Sequence, residues 1–150
     1  MLKNIFIWLI LYSLTSCGYE PIHSKKDRSN NLIRDHKLVG SKILDRKIFA
    51  NLNLKENKSD EGKYELILDS KKMLDIVSKD KAGNISIYRT TISVDVSLKE
   101  NNKVFKERNF ISSFTYNNLD NKFDLSRYQK NVEIDLINKV SEEILIFLNL

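Results

Sequence analysis

The side chain best placed for defined covalent chemistry is Cys17, the only cysteine in the 150 residues. It closes the run Leu14-Thr15-Ser16-Cys17, which resembles the bacterial lipobox: a Leu three residues before the cysteine, then small residues that let lipidation and cleavage enzymes approach the backbone. The sulfur would then carry diacylglycerol, and the amino group freed by cleavage would be acylated as well. One acyl chain holds a protein to a membrane only marginally, whereas two or more hold it stably. The segment before Cys17 fits that processing. Lys3 gives a short basic start, and residues 5–12 form an apolar run of about ten residues or fewer, the pattern of an export signal and roughly half what a membrane-spanning helix needs. The simpler alternative is a stray cysteine beside an ordinary cleavage site, but it leaves unexplained why the sole cysteine falls where the motif requires it. Gly18 stands where an Asp would favour inner-membrane retention, so outer-membrane sorting is the default expectation. A single cysteine also excludes an intramolecular disulfide and any zinc site that needs two thiolates.

Other chemistry is sparse. The two histidines, His23 and His36, lie in or beside a polar stretch without metal-ligand spacing around them, and read as exposed side chains with no task. No glycine-rich phosphate loop, Gly-x-Ser-x-Gly elbow or His-Glu-x-x-His is present. Twenty-five Lys and Arg against 20 Asp and Glu give a net charge of +5. That excess accompanies abundant Lys, Asn and Ile with few Gly, Pro and Ala, a bias expected of AT-rich coding, so it argues only weakly for an anionic partner. Nucleic acid is excluded as a partner, since an exported chain meets no genome and shows no binding signature.

The elements that must follow the anchor can be read from period. Residues 24–36 are polar and read as a tether, with folded structure expected from about His36. A weak first strand over 36–44 is followed by a short helix that Asp45 would cap, with Ile48, Phe49 and Leu52 on its apolar face. From Lys63 the period changes to two. Tyr64, Leu66, Leu68, Leu74 and Ile76 share one parity; after a turn at 79–84, Tyr88, Thr90, Ile92, Val94, Val96 and Leu98 share another. Asn101-Asn102 predicts a tight reversal into a return strand with Val104, Phe110, Phe114 and Tyr116 inward. A long C-terminal helix closes the chain: Ser126 and Gln129 have capping-box spacing, and Tyr128, Val132, Leu136, Val140, Ile144 and Phe147 form a stripe that Ile134, Ile137, Leu145 and Leu148 widen.

This order of features, with Cys17-Gly18-Tyr19-Glu20-Pro21-Ile22 after the lipobox, Asp45-Arg46 at a short helix and Tyr64-Glu65-Leu66 opening a strand, resembles the lipopolysaccharide-assembly lipoprotein (LptE) family. The resemblance implies an α/β two-layer sandwich, a largely antiparallel four-stranded sheet packed against two helices. Its divisions here are a signal peptide over 1–16, a lipidated N-terminus and tether over 17–35, and the domain over 36–150. It further implies a non-enzymatic lipoprotein on the periplasmic side of the outer membrane, partnered with the LptD barrel and with lipopolysaccharide, held by the covalent lipid on Cys17 and using no other cofactor. Only Cys17 carries over residue by residue. Candidate phosphate contacts come from the strands instead: Lys71, Lys72, Arg89, Lys106 and Arg108 could act as charge-assisted donors, against the simpler reading that they are solvated strand charges. Two other functions stay open: a lipoprotein that scaffolds another envelope-assembly machine without touching lipopolysaccharide, and a tethered periplasmic hydrolase, for which no nucleophile and base are visible.

Overall fold

Three long strands with one apolar parity each make the sheet. In the computed structural model, which describes residues 33–54 and 62–148, they are β2 (Tyr64–Lys79), β3 (Ile85–Glu100) and β4 (Lys103–Asn117), paired antiparallel in sequence order. The signal segment, Cys17, His23 and most of the tether lie outside the described residues. Each hairpin turn follows from its residues. At the first, the Asp80 carboxylate accepts hydrogen bonds from the backbone N–H groups of Ala82 and Asn84, and Gly83 takes φ +86°. At the second, Asn101 and Asn102 both adopt left-handed backbone, φ 49° and 64°, which a two-residue turn between right-twisted strands requires.

A fourth strand, β1 (Ile33–Leu38), lies parallel to β2 and completes the order β1-β2-β3-β4. Parallel neighbours need a crossover, and helix α1 (Lys42–Leu52) supplies it. Three expectations are corrected by the structure. The first strand, expected over 36–44, spans Ile33–Leu38, so it takes in residues expected to belong to the tether, and Ile33, 2% exposed, is part of the core. Asp45 does not cap α1: the helix begins at Lys42 after Ser41, so Asp45 sits inside the first turn, fully buried. The last helix, α2 (Lys122–Leu148), likewise begins four residues ahead of Ser126. Asn121 caps it, its side-chain oxygen accepting from the Phe123 N–H at 2.9 Å, so the Ser126–Gln129 pair falls within the helix and caps nothing.

Both helices cover one face of the sheet. At 27 residues α2 is about 40 Å long, somewhat shorter than the roughly 50 Å of the 15-residue β4 beneath it. Its stripe of Val132, Leu136, Ile137, Val140, Ile144, Phe147 and Leu148 is buried against Ile92, Val94, Val96, Leu98 and Phe110, while Ile48 and Leu52 of α1 join Leu66 and Leu68 in the same core. Burying six or seven such side chains from α2 contributes on the order of 10 kcal/mol before conformational entropy is set against it, so α2 is the main clamp on the sheet. Ile134, counted with the stripe on spacing, instead faces outward, and Tyr128 is half-exposed at its end. The opposite face of the sheet carries no layer among the described residues. The odd-numbered positions of β2 and β3, and of β4 from Glu107 on, lie there, where Ser93, Ser97, Asn109, Ser113 and Thr115 share a largely polar surface with the exposed Met73 and Ile111.

Candidate functional site

Three places bring polar groups together, and none was predictable from spacing. The first is the end of the β1 ladder. Val39 N–H donates to the Leu68 carbonyl and Ser41 N–H to the Ser70 carbonyl, after which the chain turns into α1. Gly40 permits this approach, since a Cβ there would lie 2.2 Å from the Ser70 nitrogen. The next donor on β2, the Ser70 N–H, has lost its strand partner, and the buried Asp45 carboxylate accepts it at 3.0 Å. Asp45 thus caps a strand edge. Burial pushes its carboxyl above the ordinary value, against the Ser70 hydrogen bond, which favours the charged form.

The second is a tie between layers. Glu133 of α2 accepts Lys47 Nζ of α1 on one carboxylate oxygen and Lys72 Nζ of β2 on the other, each at 2.6 Å. Burial alone would raise the Glu133 carboxyl, but the two ammonium groups hold it below its ordinary range. Asn51 and Asn138 add a side-chain hydrogen bond between the same two helices. Glu133 lies 61 and 86 residues from its partners, so no local signal marks it.

These contacts divide the five candidate cations. Lys72 is engaged with Glu133. Lys106 donates to the Phe147 carbonyl at the end of α2 and lies over the Phe147 ring, 4.4 Å from its centroid. Arg108 sits over the Phe110 ring, on the strand parity that the helices cover. Arg89 and Lys71 are on the open face, where Arg89 pairs with Asp75 across the ladder and donates to Thr115 Oγ1 at 3.2 Å. The five therefore form no single cluster: two face one way and three the other. The open face also carries Glu65, Asp69, Asp75, Asp95 and Glu107, and Asn109 bridges from Ser93 to the Asp95 carboxylate. His36, expected to be idle, stacks on Phe49 with ring centroids 4.0 Å apart. Among the described residues no three His, Cys, Asp or Glu side chains could share a metal ion.

The third place is a cavity of about 440 Å³ between β4 and α2. Its walls include Ser112 and Phe114 from the strand and Tyr128, Val132 and Leu136 from the helix, with Asp135 and Lys139 nearby. Ser112 is 3% exposed, and its hydroxyl has no hydrogen-bond partner among the described residues. Phe114, expected in the core, is instead 48% exposed at the rim, because α2 leaves this part of β4 uncovered.

No family model matches this chain, and no curated protein matches its sequence. Solved structures do share its fold. A putative lipoprotein from Caulobacter crescentus is 15% identical over 81% of this chain and 90% of its own, with a TM-score of 0.57. The rare lipoprotein B from Shewanella oneidensis is 18% identical over 76% and 92%, with a TM-score of 0.59. A minor lipoprotein from Acinetobacter baumannii is 9% identical over 79% and 91%, with a TM-score of 0.63. At such identities the likeness is one of fold, and it spans nearly the whole of each of those chains.

Proposed function

We propose that this protein is a lipid-anchored outer-membrane lipoprotein of the LptE type, which joins the LptD barrel and takes part in moving lipopolysaccharide to the cell surface. The observation that carries the reading is the fold shared with lipoproteins, met in one chain with the lipobox at residues 14–17. In this reading Cys17 holds the protein to the inner leaflet of the outer membrane, the domain hangs on the periplasmic side, and no reaction is catalysed. The domain acts by presenting surfaces: a polar sheet face, and a strand edge beside an apolar cavity.

The division of the cations narrows the lipopolysaccharide contact. A phosphate approaching the open sheet face meets Lys71 and Arg89, whereas Lys72 would have to give up its ion pair with Glu133 and Lys106 its hydrogen bond to the Phe147 carbonyl. Charge-assisted bonds from two such side chains are the strongest contacts this face offers a phosphate. The same division favours the second reading, a lipoprotein that scaffolds another envelope-assembly machine, because acids on that face outnumber the cations.

Pull-down of the native lipidated protein, followed by identification of what comes with it, tests the first reading. An outer-membrane barrel is the expected partner, and a monodisperse protein without one would count against it. Depletion separates the two readings: surface lipopolysaccharide falls in the first and is unchanged in the second. Charge reversal at Arg89 and Lys71 should weaken lipopolysaccharide binding more than reversal at Lys106.

A further inference from the structure

The two ends of the sandwich differ in charge. At one end β1 begins beside Tyr64, the first residue of β2, so the chain coming from Cys17 enters the fold there. The same end gathers the β3–β4 hairpin, whose Phe105 stacks on Tyr64 with ring centroids 4.8 Å apart, and the last turn of α2, where Lys106 holds the Phe147 carbonyl. Three large apolar side chains stand in solvent around it: Val104, Phe105 and, 72% exposed, Ile146. They share this end with a positive surface. Lys63, Lys99, Lys103 and Lys106 outnumber Glu65 and Glu100, and Arg34 beside Asp35 leaves the balance unchanged. Lys63 is paired with Glu100 at 3.2 Å and Lys106 with the Phe147 carbonyl, so Lys99 and Lys103, on either side of the Asn101-Asn102 turn, are the two best placed to meet another group. The far end, built from the β2–β3 turn and the start of α2, also exposes apolar surface, with Phe123 at 73%, but its charges cancel: Lys79, Lys81 and Lys122 against Asp80, Asp120 and Asp124.

We propose that the end at Ile33 docks on the anionic phospholipid surface of the leaflet that holds the Cys17 lipid, with Val104, Phe105 and Ile146 entering the headgroup layer and Lys99 and Lys103 meeting phosphates. The proposal rests on the lipidated reading of Cys17. Exposed apolar side chains interleaved with lysines are what an interfacial surface needs: the apolar groups bury at the boundary of headgroups and acyl chains, and the charges are drawn to anionic lipid. A lysine stem can lie along the apolar layer while its ammonium reaches the phosphates. Three apolar groups and a small charge excess would bind a free protein weakly. The anchor changes that, because Cys17 and Ile33 are 16 residues apart, a reach of at most about 55 Å, and a tethered contact forms at an effective concentration far above that of a protein in solution. The neutral end has apolar surface of the same kind but neither the charge nor the chain entry, so the bilayer selects one end. The open sheet face, the cavity and the neutral end stay clear of lipid and remain available to the barrel partner.

Tryptophan quenching by brominated lipid tests this, on the lipidated protein purified from membranes and reconstituted in vesicles of phosphatidylethanolamine and phosphatidylglycerol. Trp8, the sole tryptophan, precedes Cys17, so the processed chain has none and each introduced one reports a single position. The parent protein, with any partner carried along, sets the baseline. Ile146→Trp and Phe105→Trp should emit at shorter wavelength and lose most of their intensity when the phospholipid acyl chains carry bromine. Phe123→Trp, at a position as exposed as 146 and about 35 Å away along the same helix, should do neither. Adding Lys99→Glu and Lys103→Glu to Ile146→Trp, or replacing the anionic lipid with phosphatidylcholine, should lower the quenched fraction about tenfold. The mass of the N-terminal peptide separates the two readings. A chain without lipid on Cys17 overturns the proposed function and this docking with it. With the lipid present, no quenching at either 105 or 146 overturns the docking alone, as does equal quenching at 123 or quenching that the two lysine reversals leave unchanged.

Discussion

The two margins of the sheet are built by opposite means. On the β1 side the chain closes its own edge: β1 pairs with the first part of β2, Gly40 brings the turn against Ser70, and Asp45 accepts the first N–H left over. Beyond that point β2 continues unpaired, but Lys71, Lys72, Asp75 and Lys79 stud it, and register shifts between Ile76, Ser78 and Lys79 disturb its end. The β4 side has such devices only in its first half. From Asn109 to Asn117 a neutral strand lies open beside a cavity. The contrast teaches where to look for a partner, because a fold that guards most of its edges and leaves one stretch bare exposes there a template for pairing.

The comparison is broken most severely at Gly40. Gly40→Ala forces a methyl group into the Ser70 backbone and should cost about 3 kcal/mol, read as a lower midpoint in urea unfolding. Asp45→Ala leaves the Ser70 N–H buried and unpaired, for a loss of about 2 kcal/mol by the same measurement. Asp45→Asn retains an acceptor without a charge to bury, so it should be at least as stable as the parent at neutral pH. The sign follows from the raised pKa. The folded chain holds that proton more tightly than the unfolded one, so the Asp45 contribution is full below pH 3.8 and is lost as pH rises through the raised value. The advantage of Asn should therefore shrink as the pH is lowered.

Glu133→Gln comes next, with an expected loss of about 1 kcal/mol at neutral pH, since Lys47 and Lys72 are both partly exposed. Its dependence on pH runs the other way. A lowered pKa gives a contribution that is present above pH 4.5 and lost as pH falls through the lowered value, so parent and variant should converge in acid. The smallest effect is expected at the open margin. Ile111→Lys on β4 should change stability by no more than about 0.5 kcal/mol, read as an unchanged midpoint in urea unfolding, because the side chain is already in solvent. A large loss of stability from Ile111→Lys would mean that the edge is already packed within one chain, and would erase the difference between the two margins.

Much of the fold was legible because its signals are local. The alternation in β3, the Asn101-Asn102 reversal and, apart from Tyr128 and Ile134, the stripe on α2 need only a window of a few residues and appear where the period places them. What misled were short polar motifs with more than one use. Asp45 and Ser126 both have the look of helix caps, yet the caps lie at other residues and Asp45 serves β2 across the sheet. The five cations looked like one set because the strands are adjacent in sequence. Pleating sends alternate residues to opposite faces, and long-range partners such as Glu133 and the Phe147 carbonyl had already claimed two of them.

By itself the sequence determined the lipidation motif, the strand and helix periods and the tight Asn turn, all of which depend on neighbours along the chain. Tertiary structure alone decided that β1 would run parallel to β2, that Asp45 and Gly40 would finish that edge, which cations stay free, and that 109–117 would be left bare. Those outcomes depend on which backbone donors find a partner across the sheet. A strand's own residues state what it can pair with, and only the assembled fold states which of its edges is still open.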